Sequence, residues 1–212
     1  MHVIIVEGFD MTGKSVVLEL VSNGIEPYRP NYNIYDSWFE SRESSFMYGL
    51  VQSETFKYLK TVNEPLPSKY VYNRACGSWY VYSRLYDDQQ EVPIEYCYNF
   101  IDNLIDCDAD ITFIYVRHKS RESANRIFDY EASSYLGTHT EKYDKFKGFI
   151  EYLDTYTKAT KLYGEFFKDI ENKYSDKVRV IKAYTTSNDK GDLITQVTSK
   201  NQELVQLVRT LS

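Results

Sequence analysis

The stretch VEGFDMTGKS, residues 6–15, follows the apolar run HVIIV (2–6) and leads into GKSVVLELVSN (13–23). Val3 to Val6 are apolar at every position, which suits a strand buried on both faces. Beyond the glycines, Val16, Val17, Leu20 and Val21 recur at helical spacing, and Gly24 is a natural stop. Between strand and helix stands the pattern G-x-x-x-x-G-K-[ST]: Gly8, Phe9, Asp10, Met11, Thr12, Gly13, Lys14, Ser15. In that context backbone N–H groups of the turn and of the helix N-terminus converge on an anion. Gly8 and Gly13 permit turns and close approaches that a Cβ would obstruct. Lys14 is placed to reach β- and γ-phosphates and the Ser15 hydroxyl to ligate Mg²⁺, with Met11, Thr12 and Val16 completing the cradle. An ordinary glycine-containing turn is the competing reading, and strand, helix and spacing all weigh against it. The stretch therefore predicts ATP with Mg²⁺ but does not name a reaction.

Outward from this turn, strands and helices alternate. Strands are predicted near 25–28, where Pro27 and Pro30 forbid a helix, and at 67–74, 109–117 and 177–184. Helices are predicted at 44–62, 78–86, 93–105 (with Pro93 in its first turn), 120–130 and 192–211. A long helix is expected over 141–174, with Gly164 as a possible kink, and EASSYLGTHT (131–140) reads as a loop. The fold class is α/β, a three-layer P-loop architecture with a parallel five-stranded sheet and helices on both faces. One domain spans 1–212, with a mobile lid over roughly 128–145. There is no repeat or low-complexity tract.

The 212 residues carry a net charge of −6, which argues against gripping long duplex nucleic acid over much of the surface. Cys76, Cys97 and Cys107 are odd in number and fit no zinc spacing, so they read as reduced thiols in a cytoplasmic protein. No apolar run approaches ~18 residues, so no membrane span is expected. MHVIIVEG lacks the features of a secretion signal. The 21 tyrosines read mainly as amphipathic packing, with base stacking as the sharper alternative. His2, His118 and His139 have no partners at ligand or triad spacing and receive no chemistry.

The residues around the loop resemble thymidylate kinase, whose first loop reads E-G-x-D-x-x-G-K-[ST]: Glu7, Gly8, Asp10, Gly13, Lys14 and Ser15 match. Deoxynucleoside kinases share part of this pattern but usually lack the aspartate. Further short matches run along nearly the whole chain: Arg29 before Pro30; Arg74 followed by Ser78; Asp110, Thr112 and Tyr115; and Arg126–Ile127. The resemblance implies a phosphotransferase acting on a deoxynucleoside monophosphate, dTMP or a related pyrimidine, and a homodimer. It implies that Asp10 meets the sugar hydroxyl, that Arg29, Arg74 and Ser78 bind the acceptor, and that Arg126 serves ATP. Three departures stand out. Asn73 replaces a carboxylate near the metal, so Ser15 carries more of the Mg²⁺ contact. Tyr48 and Gln52 stand about where a base-contacting arginine belongs, and are read as substrate contacts. No arginine lies in 131–140, leaving Arg126, Arg121 or Lys142 as the lid cation.

Phosphoryl transfer needs alignment and charge neutralisation, here from Lys14, Mg²⁺, Arg74 and a lid cation. A phosphate acceptor needs no general base, and Glu7 then organises water or cations. A nucleoside hydroxyl does need one, and Glu7 is then the base. Ordinary structural roles stand beside each assignment: a turn-stabilising carboxylate for Asp10, a surface ion pair for Arg74, an exposed side chain for Arg29, and helix surface or core for Tyr48 and Gln52. Asp110 is a weak candidate near the metal. Two other acceptors stay open: a deoxynucleoside, and a modified nucleotide in DNA.

Overall fold

Val3, Ile4, Ile5 and Val6 are all buried, and the strand they form is the centre of the sheet. The computed structural model describes residues 1–22, 53–66, 68–85, 91–136, 145–187, 193–194 and 202–211. Strand β1 (His2–Glu7) is followed by α1 (Lys14–Ser22), α2 (53–61), β2 (Lys69–Asn73), α3 (Cys76–Leu85) and α4 (Ile94–Asp106). Then come β3 (Asp110–His118), α5 (Arg121–Leu136), α6 (Lys145–Tyr174), β4 (Val178–Ser187), β5 (Leu193–Ile194) and α7 (Gln202–Leu211).

The strand order is β2-β1-β3-β4-β5. β1 pairs in parallel with β2 (Val6 opposite Asn73) and with β3 (Glu7 opposite Tyr115), and β3 pairs in parallel with β4. β5 pairs antiparallel to β4, Leu193 opposite Ser187. The expected five-stranded parallel sheet is corrected: among the described residues its parallel part has four strands. The fifth comes from a stretch read as the start of the last helix. LITQVT (193–198) is rich in β-branched residues, which lose rotamer freedom in a helix and suit a sheet edge. The strand expected at 25–28 lies outside the described residues.

Alternate residues of β1 feed two cores. Val3 and Ile5 join Phe113 and Tyr115 of β3 under α3, α4 and α6. Ile4 and Val6 join Ile114 and Val116 under α1 and α7. Helix α4 places Cys97, Phe100, Ile101 and Leu104 on one buried stripe at helical spacing. Helix α6 does the same with Ala159, Tyr163, Phe166, Phe167 and Ile170, and runs unbroken through Gly164 with no interruption at the expected kink. Each fully buried side chain of this kind stabilises the fold by about 1.5–3 kcal/mol relative to exposure.

Residues 131–136, expected as loop, continue α5. Neither glycine nor proline interrupts the chain before Gly137, and serine lowers helix propensity by only a few tenths of a kcal/mol. Residues 137–144 of the expected lid lie outside the described residues. All three cysteines are buried free thiols. Among the described residues no helix is long and apolar enough to cross a membrane.

Candidate active site

The chain leaves β1 to build β2 on one side and β3 on the other, so β1 is where the winding of the sheet reverses. In open parallel sheets ligands sit outside the strand C-termini at such a point. Four segments end on that rim: the loop 8–13 after β1, Asn73–Arg74 after β2, His118 at the end of β3, and Thr185 near the end of β4, in register with His118.

The loop is fixed by contacts a side chain would break. Gly8 has φ +152°, and a Cβ there would lie 2.4 Å from the Val116 carbonyl oxygen. Gly13 has φ +81°, and a Cβ there would meet Thr185 Cγ2 at 2.9 Å. Met11 adopts φ 58° despite its side chain. The Lys14 ammonium donates to the Phe9 carbonyl at 2.6 Å and the Thr12 hydroxyl to the same oxygen at 2.8 Å. The Thr185 hydroxyl donates to the Thr12 carbonyl at 2.6 Å. Lys14 is thus a nearly buried cation curled into the loop, 9% exposed, while Ser15 is exposed and Val16 half-buried in the first turn of α1.

Arg74 enters from β2. Its N–H donates to the Val6 carbonyl at 2.9 Å, extending the β1–β2 pairing by one residue, and its φ is 70°. Its buried guanidinium forms an ion pair with Asp10 and lies 5.0 Å from the centre of the Tyr82 ring. Burial alone would raise the Asp10 carboxyl, but Arg74 and Lys14 outweigh it and hold the group below its ordinary value. The two residues that the sequence read separately are therefore each other's partner, and the pair bridges the loop and β2.

Glu7 and Ser78 take a different position. Glu7 is fully buried; its Oε1 accepts from the backbone N–H groups of Ala75 (2.8 Å) and Gly77 (3.0 Å). Its Oε2 accepts from the Ser78 hydroxyl, which also lies 3.0 Å from the Tyr163 hydroxyl. Burial pushes the Glu7 carboxyl up against the opposing pull of Ser78, Ala75 and Arg74. Both residues are held at the N-terminus of α3, one layer beneath the loop.

Three side chains that sequence reasoning passed over complete the rim. The Tyr152 hydroxyl donates to the Asp10 carbonyl at 3.1 Å and lies 2.8 Å from His118 Nε2. Burial, with the Lys14 charge nearby, pushes His118 down to about 4, so its ring is neutral at pH 7. Thr185 is the third. His118 and Thr185 were findable, because a parallel sheet collects its strand C-termini on one rim. Nothing in the sequence marked Tyr152, whose position depends on how α6 packs.

Arg126 lies on α5 with an ion pair to Glu122, one turn back on its own helix. Asp110 is at the opposite edge of the sheet, exposed and paired with His2, so its candidacy near a metal is withdrawn. Arg29, Tyr48 and Gln52 lie outside the described residues. Among the described residues no group of three His, Cys, Asp or Glu could hold a metal on its own. The donor set fits a cation that arrives on a triphosphate, with the exposed Ser15 hydroxyl as its contact.

No protein-family model matches the chain, and no curated protein matches it. Among solved structures, the YorR protein from Bacillus subtilis, solved in complex with phosphorylated GDP, superposes over 99% of this chain and 95% of its own. The identity is 13% and the TM-score 0.54. The chain shares its fold with YorR. A deoxyadenosine kinase from M. mycoides, solved with dCMP and a flexible dCDP, covers 99% of this chain and 97% of its own at 13% identity. Its TM-score of 0.39 is too low to carry an argument. The YorR overlay assigns the α/β architecture, and the chemistry has to be read from the rim itself.

Proposed function

We propose that the chain is a P-loop kinase that transfers the γ-phosphoryl group of ATP to a deoxynucleoside monophosphate, dTMP or a related pyrimidine nucleotide, giving the diphosphate. The observation that carries this reading is a pair of buried cations held against one loop: Lys14 curled onto Phe9, and Arg74, from the end of β2, paired with Asp10. Two anionic phosphates repel each other until positive charge stands between them, and these two side chains supply it from opposite sides. Lys14 exchanges the Phe9 carbonyl for phosphate oxygens. Mg²⁺, when bound, neutralises further phosphate charge, with Ser15 as its protein contact. Asp10 orients Arg74 and offers a carboxylate oxygen to the acceptor's sugar hydroxyl, the role implied by the resemblance to thymidylate kinase. The YorR overlay, with phosphorylated GDP in that protein, supports a nucleotide ligand.

Glu7 favours a phosphate acceptor over a nucleoside. Both its oxygens already accept hydrogen bonds and it is fully buried, so it is poorly placed to take a proton from a sugar hydroxyl. A monophosphate brings its own anionic oxygen and needs no such base. The test is label transfer from γ-labelled ATP to a panel of nucleosides, monophosphates and duplex DNA. Labelled dTDP or dUDP is the expected product. Label appearing on thymidine or deoxycytidine, or on DNA, replaces the monophosphate assignment. No transfer to any acceptor overturns the kinase. The homodimer belongs to the same proposal and is read by sedimentation.

A further inference from the structure

Tyr152 touches the phosphate loop at two successive residues, Phe9 and Asp10. Its ring lies 5.9 Å from that of Phe9, its hydroxyl donates to the Asp10 carbonyl, and it packs on Phe128, against which Met11 also packs. A phenol has one proton. With that proton on the Asp10 carbonyl, which can only accept, the bond to His118 must run from Nε2–H to the Tyr152 oxygen. A neutral imidazole then leaves Nδ1 bare, and that atom is buried with no hydrogen-bond partner among the described residues. The His118 backbone N–H donates to the Tyr156 hydroxyl at 3.2 Å, so two tyrosines of α6 hold the histidine. The chain of bonds has one direction: His118 to Tyr152 to the loop.

The loop has a second clasp of the same kind, the Thr185 hydroxyl on the Thr12 carbonyl. The two clasps sit on either side of Met11, which is held at φ 58°, a conformation that costs a residue with a side chain. Releasing the Asp10 carbonyl lets the 10–11 peptide rotate and relax that strain. Asp10 then loses the backbone orientation that aims its carboxylate at Arg74. Releasing Thr12 instead disturbs the turn into Gly13 and Lys14.

We propose that Tyr152, oriented by His118, is the positioning residue for the Asp10 half of the loop, as Thr185 is for the Lys14 half. This rests on the kinase reading for its kinetic consequence: the Asp10 half faces the acceptor nucleotide and the Lys14 half faces ATP. The clasps therefore govern different substrates.

The first arm of the test needs no turnover. ¹⁵N spectra of the imidazole are expected to show His118 protonated at Nε2 in the parent, with that preference lost in Tyr152→Phe. A parent protonated at Nδ1 overturns the relay. The second arm is steady-state kinetics on variants whose melting temperatures show them folded. Tyr152→Phe is expected to raise KM for the acceptor about tenfold, the scale of one lost hydrogen bond, with KM for ATP within about twofold of the parent. Thr185→Val is expected to show the reverse split. His118→Phe should match Tyr152→Phe, whereas His118→Gln, whose side-chain amide keeps a donor near Nε2, should recover the parent values. Equal effects on both KM values, or no rescue by His118→Gln, overturns the proposal even if Tyr152→Phe itself fails to fold. A parent that transfers phosphate to no nucleotide sinks the kinase reading and the split of substrates with it, leaving the spectra to judge the relay alone.

Discussion

Two strand-to-helix turns lie side by side on the rim, and they treat their helix ends in opposite ways. At the start of α3 the N–H groups of Ala75 and Gly77 and the hydroxyl of Ser78 all close on the carboxylate of Glu7. At the start of α1 no acidic residue stands in the first turn, and Lys14 adds a cation. A helix N-terminus attracts negative charge wherever it occurs. The protein satisfies one end from within, using the last residue of β1; at the other, the proposed function has a phosphate from outside supply the anion. The difference teaches that a helix end marks a ligand site only where the fold has not already supplied the anion.

The largest expected effect breaks the α1 turn. Lys14→Ala should lower phosphoryl transfer by roughly a thousandfold, about 4 kcal/mol of transition-state stabilisation. Thermal unfolding should show the variant folded, and steady-state ADP release reads the loss. The mirror experiment breaks the α3 turn. Glu7→Ala leaves two buried N–H groups without partners and should cost about 3 kcal/mol of stability in urea titrations. Glu7→Gln retains an acceptor for Ala75 and Gly77 and should cost distinctly less.

These contrasts also show what the sequence could and could not disclose. The α1 turn was legible because its chemistry is local: every residue of the cradle lies within nine positions, Gly8 to Val16, between a strand and a helix that their own patterns reveal. The α3 turn was legible only in part. Arg74 and Ser78 were singled out, but the partner of Ser78 is 71 residues away in sequence, and only the β1–β2 register brings Glu7 beneath α3. Glu7 therefore read as a catalytic candidate, whereas the structure gives it to α3. Of the four parallel strands, β1 and β3 followed from buried apolar runs and β2 from alternation through Tyr70 and Tyr72. β5 and the end of α5 did not, because a two-residue pairing is too short a pattern to read and serine-rich sequence carries only a weak propensity either way.

A third prediction sharpens the comparison through pH. His118, on the α1 side, ordinarily titrates near 6.5 but is held to about 4 in the fold. The unfolded chain therefore gains a proton as pH falls through 6.5, and the folded chain does not until about 4. The contribution is fully present above pH 6.5 and lost progressively below it. Between pH 7 and 5 the parent should lose roughly 2 kcal/mol more stability than His118→Gln. Identical pH profiles for the two in urea would show that the buried imidazole plays no part. The smallest effect is expected away from both turns. Arg126→Ala removes an exposed pair with Glu122 and should change stability by no more than about 0.5 kcal/mol. A larger loss of activity in that variant would support Arg126 as an ATP contact.

The clasp from Thr185 to Thr12 joins positions 173 apart in the chain. The cradle follows β1, the first of the four parallel strands in sequence, and this fastener comes from β4, the last of them. A chain lacking β4 carries the whole motif but lacks this fastener. On the kinase proposal ATP capture is coupled to assembly of the parallel sheet, and fragments ending before residue 185 should bind ATP far more weakly than the whole sequence.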